Sequence, residues 1–83
     1  MKMKAKIAVR EIMKNQGIGV NALTALLQEN VEGESFSSRK ISERLSQDNM
    51  SIKVLNQMLK VLRYKIVLLP FDAKLPANGY EIE

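Results

Sequence analysis

Ser37-Ser38-Arg39-Lys40-Ile41-Ser42-Glu43-Arg44-Leu45-Ser46 is the stretch on which the reading of this chain turns. At about 100° per residue on a helical wheel, Ile41 and Leu45 fall within about 40° of each other. Arg39 and Glu43 lie almost opposite them, with Lys40, Ser42, Ser46 and Gln47 alongside and Arg44 on the flank. A helix with only two apolar anchors contributes little to a core. Its outward face of Arg, Lys, Ser and Glu suits a groove lined with hydrogen-bonding groups and phosphates. A solvated amphipathic helix would carry the same residues, so the flanking sequence has to separate the two.

At 83 residues there is room for a single small domain, read here as 1–83. A monomer of this size buries only about 60–65% of its unfolded surface, so marginal stability or help from a second subunit is expected. Cysteine and histidine are both absent. Their absence removes disulfides, thiolate metal sites and Cys nucleophiles, along with the commonest general base and metal ligand. The carboxylates are scattered, with no Gly-rich phosphate loop, metal-ligand spacing or nucleophile–base pair. The expectation is a binding protein with no cofactor and no metal, not an enzyme.

The net charge of +4 points to an anionic partner. Its distribution says more than the total. Residues 1–20 carry five Lys/Arg against Glu11, and residues 36–63 carry six against Glu43 and Asp48. Between them, residues 21–35 hold only Glu29, Glu32 and Glu34, and the tail is slightly acidic. Two basic blocks separated by an acidic loop are expected where two helices flank one polyanion and the loop faces away. The N-terminus has no apolar run of signal-peptide or membrane length, which predicts a soluble, cytoplasmic protein with no membrane contact.

In chain order, residues 5–16 predict a first helix, with Ala5, Ala8/Val9, Ile12 and Gln16 at 3-and-4 spacing and Gly17 as its C′ residue. Lys2, Lys4, Lys6, Arg10 and Lys14 occupy its other side. A second helix is expected from about Val20 to Gln28, with Leu23, Leu26 and Leu27 on one face. Asn30 to Ser35 has turn composition and reads as a loop. The polar helix at 37–46 follows, capped by Ser35 or Ser37. Residues 51–63 then predict a longer helix, with Ile52, Leu55, Leu59 and Leu62 at steps of 3 and 4 and Ser51 as cap. Tyr64-Lys65-Ile66-Val67-Leu68-Leu69-Pro70 is rich in β-branched and apolar residues and predicts a strand. After a loop and the Asn78-Gly79 turn, Tyr80 to Glu83 alternates as a short second strand. A lone hairpin is not stable in water, so these strands must pack on the helices or pair with a second subunit.

Helix, tight turn, helix, loop, polar helix, long apolar helix is an order that resembles the Cro/repressor-type helix-turn-helix proteins of phages and mobile elements. The likeness rests on three places: the Leu23-containing helix followed by Ile41-Ser42-Glu43-Arg44-Leu45; Asn49-Met50-Ser51-Ile52 leading into Leu55 to Leu62; and the segment from Tyr64 to Pro70 directly after it. It covers roughly residues 6–70. It implies a mainly α, four-helix, lambda-repressor-like domain with a C-terminal β-strand or hairpin at 64–83. It also implies a sequence-specific transcriptional regulator, a repressor, that binds double-stranded DNA as a homodimer. The helix at 37–46 would then enter the major groove. Arg39 and Lys40 would reach guanine O6/N7, Ser38 and Ser42 would read bases or phosphates, and Glu43 would accept from cytosine N4. Lys4, Lys6, Arg10 and Arg44 would contact phosphate. Tyr64, Ile66 and Leu68 would form the dimer strand.

The connection from Leu27 to Ser37 departs from that pattern, being longer than the usual tight turn and carrying three glutamates. An alternative reading follows from it: an antitoxin-like module that holds a protein partner through the acidic loop or the C-terminal strand, with or without DNA.

Overall fold

The computed structural model describes residues 2–82. Among them the chain forms four helices and one two-stranded sheet, in the order β1 (Lys2–Met3), α1 (Ala5–Gln16), α2 (Val20–Asn30), α3 (Ser38–Leu45), α4 (Ile52–Val61) and β2 (Glu81–Ile82).

Local chemistry sets most of the helix ends. α1 stops at Gly17, whose φ of 67° is the left-handed conformation that glycine adopts without a Cβ penalty. The Gly17 N–H donates to the Lys14 carbonyl and the Ile18 N–H to the Met13 carbonyl, which closes a Schellman turn. α3 starts at Ser37, whose hydroxyl accepts from the Lys40 N–H at 3.2 Å, and Ser51 does the same for the Val54 N–H in α4. Of the two N-cap candidates for α3, Ser37 is the one used. α4 ends in a second Schellman turn, with Arg63 N–H on the Lys60 carbonyl and Tyr64 N–H on the Leu59 carbonyl.

The core is apolar throughout, with no buried polar residue among the described residues. Val9, Leu23, Leu27, Ile41, Leu45, Met58 and Leu62 are its largest fully buried members. α2 packs on α3 and α4, and α1 closes the other side against the same two helices. Phe36, just before α3, joins this cluster from the connecting loop. The 3-and-4 spacing therefore marks the buried face of each helix, with two exposed exceptions, Gln16 at the end of α1 and Ile52. Ile52 is 74% exposed, because it stands at the first position of α4 on the edge of a stripe centred on Leu55, Met58 and Leu59.

The C-terminal segment differs from the expected hairpin. Residues 64–70 form no strand. Tyr64 turns inward after the Schellman turn, and its ring meets Tyr80 at 6.0 Å and 59°. From Lys65 to Pro70 the chain runs exposed, with no ladder on either edge. β2 pairs instead with the N-terminal β1, in parallel, with Lys2 opposite Glu81 and Met3 opposite Ile82. The tail thus returns to the start of the chain, and the Tyr80 hydroxyl accepts from Asn15 of α1 at 3.2 Å. Glu83, expected in the second strand, lies outside the described residues. No helix among those residues is long and apolar enough to cross a membrane.

Candidate nucleic-acid interface

α3 is held by its two anchors. Ile41 and Leu45 are both 0% exposed, so the helix cannot rotate without opening the core. Everything opposite them faces water. Arg39, Lys40, Ser42 and Glu43 are all exposed and share that outer face. The Arg39 guanidinium lies 3.4 Å from the Glu43 carboxylate one turn on, an i,i+4 pair open to solvent on both sides. Lys40 Nζ reaches the Ser35 carbonyl at 3.4 Å across the start of the helix. Ser38 is placed differently. It is half-buried, and its hydroxyl donates to Asn21 Oδ1 at 2.5 Å, tying the first turn of α3 to the first turn of α2. Asn21 is a site residue that no sequence pattern marks, since it matters only once α2 and α3 lie side by side.

The far end of α3 is clamped by α1. Arg10 donates through Nε and Nη2 to the Leu45 carbonyl at 3.4 and 3.3 Å, and Lys6 Nζ reaches the Ser46 carbonyl at 3.4 Å. Cations at a helix C-terminus offset the negative end of its dipole as well as satisfying the last carbonyls. Lys6 also pairs with Asp48 at 2.6 Å, and Lys4 joins at 3.4 Å. The Lys6 hydrogen bond, with the charge of Lys4 beside it, holds the Asp48 carboxyl below the usual carboxylate range. Three of the four basic residues expected to meet phosphate, Lys4, Lys6 and Arg10, therefore gather at the exit of α3.

Arg44 stands apart from the other three. The helical wheel puts it on the flank, and the structure turns it into the protein. Its side chain is 19% exposed, lies over the Phe36 ring at 5.9 Å and faces Glu34 at 3.8 Å. Glu34 Oε2 is buried and has no hydrogen-bond partner, which leaves the Arg44 charge as its compensation. The acidic loop does not simply face away, because Glu34 folds back on α3. Gln28 pins the same loop from α2, accepting from the Phe36 N–H at 3.0 Å and donating to the Glu34 carbonyl at 3.3 Å. The long connection between α2 and α3 is thus a packed brace for α3.

Of the seam residues, Tyr64 is half-buried against Tyr80, whereas Ile66 and Leu68 are exposed, Leu68 at 94%. No protein-family model, curated protein or solved structure matches this chain. The site therefore rests on its geometry. A short helix is locked at its start by Asn21, at its end by Arg10 and Lys6, and along its flank by Arg44. It presents two cations, a carboxylate and a hydroxyl on a convex face about one helix wide, and a convex polar ridge of that width fits a groove better than it makes a pocket.

Proposed function

We propose that this chain is a sequence-specific DNA-binding transcriptional regulator, a repressor, of Cro/repressor-like helix-turn-helix type, and that α3 enters the major groove. The observation that carries the reading is the contrast along α3: Ile41 and Leu45 fully buried, with Arg39, Lys40, Ser42 and Glu43 exposed together on the opposite side. Such a helix is rigid in position and free in contact, which is what base readout requires.

The roles divide by exposure. Arg39 and Lys40 contact guanine O6/N7, and Ser42 contacts a neighbouring base edge or phosphate. Glu43 accepts from cytosine N4 or, from its place beside Arg39, aims the guanidinium. Ser38, tied to Asn21, sets the approach of the helix. Lys4 keeps a half-exposed ammonium available to phosphate, while Lys6, Arg10 and Arg44 act chiefly by holding α3 in place. The protein acts by binding, not catalysis.

Titration of duplex DNA from the gene's own upstream region, beside a scrambled duplex, across a salt series tests this. The expected result is tighter binding to the upstream duplex, with log K falling linearly in log salt at about 0.9 per phosphate contacted. Equal binding to both duplexes, or none at low salt, would contradict a sequence-specific regulator.

A further inference from the structure

Asp48 sits in the exposed loop between α3 and α4, and its carboxylate holds one ammonium group on each oxygen. Oδ1 takes Lys6 Nζ at 2.6 Å and Oδ2 takes Lys4 Nζ at 3.4 Å. A single negative charge spread over two oxygens is also what a backbone phosphodiester offers to a pair of lysines.

The pairing opens at little cost. The Asp48 side chain is 59% exposed and that of Lys4 47%, so both ion pairs are screened by water and weak. Among the described residues, no backbone hydrogen bond uses the Asp48 N–H or C=O, so the carboxylate can swing away without undoing the turn after α3. Lys6 does not follow it. Its ammonium also donates to the Ser46 carbonyl at 3.4 Å, which keeps that cation at the exit of α3 and leaves donors for a second anion.

We infer that Asp48 is an internal counter-charge occupying a phosphodiester site on Lys4 and Lys6, from which a DNA backbone phosphate displaces it. The identity of the ligand rests on the DNA-binding reading. A duplex touching the protein only through its backbone meets two lysines and one aspartate, a net charge of +1 rather than +2. Sequence-independent binding is thereby weakened, which lowers the background against which α3 discriminates. With α3 seated in a groove, the strand beside it is held next to the end of the helix, and a phosphate at high effective concentration replaces the carboxylate.

Asp48→Asn removes the charge and keeps the shape, and the exposure of the loop means that the fold is retained. Asp72→Asn makes the same change of net charge in another exposed loop, at a residue with no ion pair among the described residues, and is the control. On a scrambled duplex, Asp48→Asn is expected to steepen log K against log salt by up to about 1.8, two phosphates at about 0.9 each. Adding Lys4→Ala should remove about half of that gain, whereas Asp72→Asn should keep the wild-type slope. Retention on a heparin column, which involves no base recognition, should likewise require more salt to reverse for Asp48→Asn than for Asp72→Asn. Equal slopes and equal elution for the two variants would overturn the inference, as would a gain that survives Lys4→Ala in full. Wild-type binding that is equal on upstream and scrambled duplexes, with the Asp48→Asn heparin shift still present, would end the sequence-specific reading and support the phosphodiester site.

Discussion

Arg63 ends α4 in the left-handed region, at φ 67°, where its Cβ crowds the following peptide and glycine would not. The conformation is required because the turn it belongs to satisfies two carbonyls of α4, those of Lys60 and Leu59. It also aims Tyr64 back toward Tyr80, which is why the chain does not leave the helix directly as a strand. Arg63→Gly should relieve the strain and keep both hydrogen bonds. Urea denaturation is expected to show a gain of about 1 kcal/mol, somewhat offset by the greater freedom of glycine in the unfolded chain. A loss of stability would mean that the exposed arginine makes a contact worth more than the strain.

At the scale of the element, α3 is a helix supported on three sides. Arg44 is its flank support, and Arg44→Ala removes both the cover over Phe36 and the charge facing Glu34. Leaving that carboxylate oxygen uncompensated should lower stability by about 1–3 kcal/mol, with partial recovery when Glu34→Ala is added. An unchanged denaturation midpoint together with weakened DNA binding would return Arg44 to the phosphate role expected from the wheel. The exposed face of α3 is legible in the sequence because an amphipathic period depends only on neighbours three and four residues away. The destinations of Arg44, Lys6 and Arg10 are not, since Phe36, Glu34 and the Leu45 carbonyl reach them only through the fold. The stretch from Tyr64 to Pro70 shows the same limit: β-branched composition describes a residue that fits a sheet, and among the described residues no strand pairs with it. The pairing of Lys2–Met3 with Glu81–Ile82 joins the two ends of the chain, a distance no local pattern spans.

Across the whole molecule, the two basic blocks of the sequence have different fates. The first converges on the exit of α3, where Lys4, Lys6 and Arg10 meet Asp48, Ser46 and Leu45. The second keeps Arg39 and Lys40 in solvent. On the proposed reading, specificity and support are carried by separate residues. Amide shift mapping of the uniformly 15N-labelled protein, titrated with its upstream duplex at moderate salt, tests the central claim most directly. Shifts clustered on residues 38–43 and on the start of α2 around Asn21 are the expected result. Shifts confined to residues 66–75, or spread evenly over the basic surface with none favouring α3, would contradict it.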